Sequence, residues 1–132
     1  MNRKGFTLVE VLVVLAITAL LLLVLVPNVF VMINKNNTKS CNNLIKNIES
    51  ATKMYVTNNK YDIGFGCDPY NNTKKVTLET LVNTGDLTLD STGKIINPID
   101  KTEIPLTTEV EVTYNCTTKE FTYNVIGIDC TK

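Results

Sequence analysis

The chain has 132 residues with 13 basic and 13 acidic side chains, so its formal net charge is zero. Beyond the N-terminal region its one adjacent basic pair is Lys74-Lys75, whereas nucleic-acid binding by bulk electrostatics needs clustered lysine and arginine. There is no histidine, and the four cysteines are far apart, which argues against a zinc site and against nucleophilic catalysis. We therefore predict no enzyme, no metal, no cofactor and no small-molecule substrate.

An apolar segment from Phe6 to Ile33 is the strongest pattern in the chain, and it holds no charge between Val11 and Val26. In a helix rising about 1.5 Å per residue, roughly 20 such residues match a bilayer core of about 30 Å. Arg3 and Lys4 precede the segment, and positive flanks stay in the cytoplasm. The pattern predicts a single-pass membrane protein with a cytoplasmic N-terminus and an extracytoplasmic remainder.

Glu10 lies at the edge of this apolar segment. A charge at the bilayer centre costs roughly 2.5 to 3.5 kcal/mol even on the more lenient insertion scale. A carboxylate at the membrane edge therefore predicts a partner of opposite charge, and the expected partner is the amino terminus of a neighbouring subunit.

The sequence from Lys4 to Glu10, KGFTLVE, followed by the apolar segment, resembles the processing signal of type IV prepilins and pseudopilins. The resemblance implies cleavage after Gly5 by a prepilin peptidase and methylation of the new terminal residue, Phe6. It also implies that Glu10 engages the terminal amine of an adjacent subunit. Pro27 falls where pilins carry a proline that perturbs the helix, and the resemblance implies that the helix loosens there when subunits pack.

Other targeting segments explain this N-terminus less well. A secretory signal peptide needs small residues just after its apolar region, but the chain offers large or branched side chains from Pro27 to Val31. A lipoprotein site fails because the first cysteine is Cys41. A plain membrane anchor explains the hydrophobicity and the orientation but leaves Gly5-Phe6 and Glu10 without a role.

Beyond the membrane segment, we expect the helix to continue, so that it runs from Phe6 to about Asn58. Its second half, residues 34–58, is amphipathic, because apolar residues recur at spacings of three and four and form one stripe. Asn58-Asn59 and then Gly64 and Gly66 are expected to end the helix. The stripe consists of Cys41, Leu44, Ile45, Ile48, Ala51 and Tyr55.

The remaining residues, 59–132, are expected to form a small globular head. Residues 65–75 have the composition of an irregular loop, residues 77–82 followed by Gly85 indicate a short helix, and residues 90–98 are rich in turn formers. Two half-buried strands flank a turn at Thr117 to Glu120, because apolar and polar residues alternate on either side of it. The apolar alternation comprises Val110, Val112 and Tyr114 on one strand and Phe121, Tyr123 and Val125 on the other.

In this predicted hairpin the face of Val112 and Tyr114 meets Val125 and Tyr123, so one face of the sheet is apolar. Its expected mate is the helical stripe at 41–55. The fold class is therefore α+β: a long N-terminal hydrophobic helix with a small antiparallel sheet packed on its C-terminal half, as in pilins.

Four cysteines, Cys41, Cys67, Cys116 and Cys130, allow three pairings if they form two disulfides. The hairpin would place Cys116 and Cys130 roughly 23 Å apart, well beyond the bridging limit of about 7 Å, although a bend at Gly127 would relax this. Four free thiols stay open as an alternative. A bond from Cys41 to a head cysteine would stabilise the domain by roughly 2 to 4 kcal/mol.

Three carboxylates in turn-rich segments, Asp86, Asp90 and Asp100, have the oxygen chemistry that calcium prefers. Their spacing does not match the ligand spacing of an EF-hand calcium loop. We interpret them as surface turn residues.

The resemblance and the residues together predict a structural subunit of a type IV pilus or pseudopilus, with a leader at 1–5 and a membrane and assembly segment at 6–33. Implied partners are other pilins, the prepilin peptidase, a platform protein and a motor ATPase. Cleavage would remove Arg3 and Lys4, leaving 11 basic against 13 acidic side chains, a net charge of −2. That charge disfavours direct DNA binding and leaves it open.

Two alternatives remain at this stage. Within the pilin class, the subunit could serve a competence pseudopilus for DNA uptake or a secretion pseudopilus. In a different class, it would be a bitopic membrane protein whose head binds a ligand or partner without polymerising.

Overall fold

The computed structural model describes residues 5–131, so the basic flank formed by Arg3 and Lys4 lies outside the described residues. The chain divides into two compact units, one up to Asn36 and one from Asn37. One helix, α1 (Leu8–Asn58), passes through the division. Each unit is described by itself below.

The first unit is the apolar part of α1. Every large apolar side chain described between Phe6 and Ile33 is exposed. Among residues 5–131, α1 is the one helix long and apolar enough to cross a membrane, and none of its most apolar stretch is buried in the protein. So large an apolar surface on all sides of a helix is typical of a segment that meets lipid or other helices instead of a core of its own.

The second unit begins with the C-terminal part of α1, and most of the predicted apolar stripe packs into the core there, whereas Ile45 is half-buried and lies outside the core cluster. Cys41 and Ile48 are fully buried, Ala51 is nearly so, and Leu44 and Tyr55 pack against the core at its margin. The structure adds two buried residues that the prediction missed. These are Val56, which continues the stripe, and Thr52, whose hydroxyl donates to the Ile48 carbonyl at 2.8 Å and so lies in the core without an unpaired polar group.

The end of α1 follows the predicted signals. Asn59 separates α1 from a short helix, α2 (Lys60–Ile63), and Gly64 closes α2 with a left-handed φ of 65°. Glycine adopts this conformation without the steric penalty of other residues.

A three-stranded antiparallel sheet covers the stripe. In chain order its strands are β1 (Thr73–Thr77), β4 (Glu109–Asn115) and β5 (Glu120–Val125), and β4 lies in the middle. Between β1 and β4 come α3 (Leu78–Asn83) and a two-stranded ribbon of β2 (Ile95–Ile96) and β3 (Glu103–Ile104).

The hairpin of β4 and β5 has the predicted apolar face. Its register sets Val110 opposite Val125 and Val112 opposite Tyr123, and Val110 and Val112 are fully buried. Side chains from α1, the three-stranded sheet, α3 and the β2–β3 ribbon form one core, which confirms the predicted α+β architecture. The buried members of this core are Ile48, Ala51, Val56, Val76, Leu78, Leu81, Ile95, Ile104, Val110 and Val112.

Two predictions about the head were wrong in part. Residues 73–75, assigned to a loop, belong to β1, and residues 95–96, within the turn-rich segment, form β2. In β1 only Val76 is buried, so the strand carries little apolar alternation and is specified by pairing with β4. A strand of two residues is too short to show any period.

Candidate processing and assembly site

Thr7 and Glu10 form a reciprocal cap at the start of α1. The backbone N–H and the hydroxyl of Thr7 both donate to Glu10 Oε2 at 3.2 Å, and the Glu10 N–H donates to Thr7 Oγ1 at 3.3 Å. This is the capping box, in which a threonine before the first turn and a glutamate three residues later satisfy each other's backbone donors.

The cap fixes where α1 begins. Helical structure starts at Leu8, two residues after the predicted Phe6, and the Val11 N–H donates to the Thr7 carbonyl at 3.2 Å. The prediction of a helix from Phe6 was therefore wrong at its first two residues. The reason is that the side chains of Thr7 and Glu10 replace the backbone acceptors that another turn would supply.

Gly5 and Phe6, the predicted processing pair, precede the cap in non-helical backbone, and both are exposed. The Phe6 side chain is 87% accessible. A Cβ built on Gly5 would meet no heavy atom within 4 Å, so packing among the described residues does not demand glycine at this position.

Glu10 is stabilised by the helix dipole but has no cationic partner among the described residues. Its carboxylate lies at the helix N-terminus, where the aligned peptide dipoles favour negative charge. Lys75–Glu109 and Lys94–Glu103 form ion pairs in the described part of the chain, and neither pair involves Glu10. Its described hydrogen-bond partner is Thr7, and the structure supplies no described cation to it.

Pro27 lies inside α1, where it has no N–H to donate to the Leu23 carbonyl. One residue on, the Asn28 side-chain amide donates to the Val24 carbonyl at 3.0 Å. A side-chain donor thus supports the backbone beside the point where the proline interrupts the hydrogen-bond ladder. The predicted assembly role of Pro27 stays a prediction.

The four cysteines form two disulfides, Cys41–Cys130 and Cys67–Cys116, with Cα–Cα distances of 5.6 and 5.7 Å. The pairing of Cys116 with Cys130, which the hairpin geometry disfavours, is not the one adopted. Cys41 and Cys130 are both buried, and their bond joins α1 to the C-terminal segment of the second unit.

The three aspartates considered for calcium cap their own turns. The Asp90 and Asp100 carboxylates each accept the N–H and the hydroxyl of the threonine two residues on, and Asp86 accepts the Thr84 hydroxyl. The hydrogen bond from the Thr92 hydroxyl is the main cause that lowers the pKa of Asp90 below its ordinary value. No group of carboxylates or cysteines in the described part of the chain is arranged to hold a metal ion.

Thr7 is the site residue that the sequence analysis missed. Its signal was present in the sequence, because a threonine followed three residues later by glutamate, directly before an apolar run, is the capping-box pattern. The structure brings Thr7 and Glu10 together next to Gly5-Phe6, whereas Pro27 and the cysteines lie elsewhere along the chain.

Comparison with known proteins finds similarity in the N-terminal part of this chain. Residues 1–26 match the family model described as the prokaryotic N-terminal methylation motif. A ComG operon protein 3 homolog from Bacillus licheniformis is 40% identical over 55 residues, which cover 42% of this chain and 57% of the relative. No solved structure matches the chain. Residues 1–26 of the chain therefore carry a prokaryotic N-terminal methylation motif, which includes the capped helix start and most of the apolar segment behind it.

Proposed function

We propose that this chain is a structural subunit of a type IV pilus or pseudopilus. It is made as a membrane-anchored prepilin, cleaved after Gly5, methylated at Phe6 and polymerised through its N-terminal helices. One observation carries the proposal: the methylation motif coincides with an exposed Gly5-Phe6 bond and with a carboxylate, Glu10, that makes no ion pair among the described residues.

Cleavage would create a cation for Glu10, which makes no ion pair among the described residues. Hydrolysis after Gly5 leaves an amine on Phe6, which stays protonated when it is singly methylated. In a fibre of packed apolar helices, this ammonium group on one subunit pairs with Glu10 of its neighbour. The surroundings are poor in water, so the pair is strongly coupled, and an unpaired carboxylate there carries a heavy desolvation cost. The pairing thereby fixes the register between subunits.

The exposed apolar surface of the first unit supports assembly in the same way. In the membrane, lipid covers these side chains. When the subunit leaves the bilayer, apolar surface facing water costs roughly 25 cal/mol per Å². The helices of other copies supply the cover that lipid gave.

The similarity to a ComG operon protein favours the competence pseudopilins among the filament classes that use this motif. In that setting the subunit works with a prepilin peptidase, a platform protein and a motor ATPase, and the assembled fibre lies outside the membrane. The mature net charge of −2 favours a structural role for this subunit over direct DNA binding.

Mass spectrometry of the intact native protein tests the proposal. Protein from both the membrane and the sheared surface fraction is measured, and the expected mass is that of a chain beginning at N-methyl-Phe6. A membrane protein that retains Met1 and never enters the surface fraction would instead support the bitopic, non-polymerising alternative.

A further inference from the structure

We propose that Thr7 is a positioning residue for cleavage: its cap with Glu10 holds the Gly5–Phe6 bond outside the helix, where a peptidase can reach it. This role rests on the processing proposed above. Thr7 would affect the rate of cleavage without contacting the reacting atoms.

The first step concerns the backbone donors at the start of α1. The first N–H groups of any helix lack partners within the helix, and at a membrane each unsatisfied group is costly. One remedy is a longer helix, in which preceding carbonyls accept these donors. The cap offers another remedy, because Thr7 and Glu10 accept each other's N–H through side-chain oxygens at 3.2 and 3.3 Å.

The second step concerns the bond to be cut. If α1 began one turn earlier, the Gly5 carbonyl oxygen would accept the N–H of Val9 and would be enclosed by the helix. Hydrolysis requires a nucleophile at that carbonyl carbon and donors at its oxygen, so both must be accessible. In the structure Gly5 and Phe6 are exposed and non-helical, and the first helical hydrogen bond of this region is accepted by Thr7.

Gly5 and Thr7 act in the same direction. Glycine is a poor helix former, so it resists propagation of α1 toward the N-terminus. Since a Cβ at Gly5 would meet nothing within 4 Å, this contribution comes from the backbone and not from packing. The Thr7 hydroxyl caps α1 at Leu8, and Gly5 makes extension of the helix beyond this cap unfavourable.

The test compares three full-length variants in membranes. Thr7→Val removes the hydroxyl at nearly constant volume, and Thr7→Ser keeps the hydroxyl. Thr18→Val makes the same change at a threonine whose hydroxyl donates to the Val14 carbonyl within α1, away from the cap. Pulse labelling follows the conversion of membrane-inserted precursor to mature protein, so that any defect in insertion is divided out.

We expect Thr7→Val to be cleaved about fivefold more slowly, the factor that corresponds to loss of a cap of about 1 kcal/mol. The cleavage rate of Thr7→Ser should stay within about twofold of that of the unaltered chain, because serine is an equally good cap. Thr18→Val should be cleaved at the same rate as the unaltered chain. Carbon-13 chemical shifts of residues 5–7 in the detergent-solubilised precursor give a second readout. They should move toward helical values in Thr7→Val and stay non-helical in Thr7→Ser.

The outcomes separate this inference from the proposed function. If the unaltered chain is never cleaved, the proposed function fails. If it is cleaved and Thr7→Val is cleaved equally fast, or if Thr7→Ser is slowed as much as Thr7→Val, the positioning role is overturned and the proposed function stands.

Discussion

Among the described residues the Glu10 carboxylate is hydrogen-bonded to Thr7, and in the proposed fibre it gains a second partner. In the structure it accepts the N–H and the hydroxyl of Thr7, and a carboxylate has room for further donors on its oxygens. An incoming ammonium group can therefore join the cap without displacing it. The cap depends on the hydrogen bonds of Glu10 and the proposed pairing depends on its charge, so a substitution that removes only the charge can distinguish the two.

Glu10→Gln separates these properties. Glutamine retains an oxygen that can accept the Thr7 N–H, as it does in natural capping boxes, but it carries no charge. We expect fibre yield to fall at least tenfold, because the neighbour's ammonium group loses its counter-ion, and Glu10→Ala should fall at least as far. Yield is measured as subunit in the sheared surface fraction, with the exposed Glu120→Gln as the matched control. Normal fibre yield from Glu10→Gln would count against the pairing.

Tyr123 gives a pH-dependent prediction for the second unit. Burial raises the pKa of its hydroxyl above the ordinary value, so the folded state favours the neutral form. The resulting stability is fully present below the ordinary tyrosine pKa of about 10 and is lost as the pH rises through the raised pKa. The pKa values of Lys75 and Lys94 are raised by their partners Glu109 and Glu103, and they add a loss in the same direction.

Tyr123→Phe should therefore lose less stability than the unaltered chain between about pH 9.5 and 11. Tyr61→Phe is the control, because Tyr61 is 96% exposed. Thermal unfolding monitored by circular dichroism at several pH values measures the difference. Equal alkaline losses in Tyr123→Phe and the unaltered chain would show that Tyr123 does not contribute.

The elements of the second unit differ in how far the sequence predicts them. The helical stripe and the hairpin of β4 and β5 can be predicted from the sequence. In the helix the buried residues recur with a period of 3.6 residues, and in the strands with a period of 2. Strand β1 is not, since only Val76 among its residues is buried and its Lys74-Lys75 pair resembles a solvated loop. It becomes a strand because β4 offers it a partner over five residues. Pairing of this kind is set by the tertiary fold.

The predicted site residues show the same division. Glu10 stands out because a charge beside an apolar run is a local anomaly, whereas the roles of Gly5 and Phe6 are implied by the resemblance to prepilins. For the disulfides, hairpin geometry disfavours only the pairing of Cys116 with Cys130. The sequence gives no distance from Cys41 to Cys116 or to Cys130, so it does not decide between these two partners. The start of α1 was misplaced by two residues although the Thr7–Glu10 pattern was present, since the apolar period alone does not mark where a helix begins.

The two disulfides should contribute unequally to the stability of the second unit. Cys41–Cys130 spans 89 residues and Cys67–Cys116 spans 49. In the chain-entropy model this difference makes the longer loop more stabilising by about 0.5 kcal/mol. Replacing the buried pair by alanine also leaves a cavity, whereas Cys67 is exposed.

We expect Cys41→Ala with Cys130→Ala to lower the melting temperature more than Cys67→Ala with Cys116→Ala. Thermal unfolding of the full chain in detergent, followed by circular dichroism, measures both. An equal or reversed order would show that loop length and burial do not govern the contribution of these bonds.

As a whole molecule, the chain combines an apolar helix with no core of its own and a second unit held by a shared core and two disulfides. The second unit satisfies its buried polar side chains internally, and none described lacks a hydrogen-bond partner. In the described part of the first unit, the apolar surface is exposed and Glu10 makes no ion pair, so in our proposal both are matched from outside. Lipid would cover the apolar surface but would not neutralise the Glu10 charge, whereas a fibre of processed copies would do both.

Cryo-electron microscopy of native fibres, at a resolution that shows side chains, tests this claim most directly. The quantity to measure is the distance between the Phe6 nitrogen of one subunit and the nearest Glu10 carboxylate oxygen of its neighbour. We predict a distance within about 4 Å, the range of an ion pair. Fibres in which each Glu10 faces apolar side chains, with every Phe6 amine beyond that range, would contradict it.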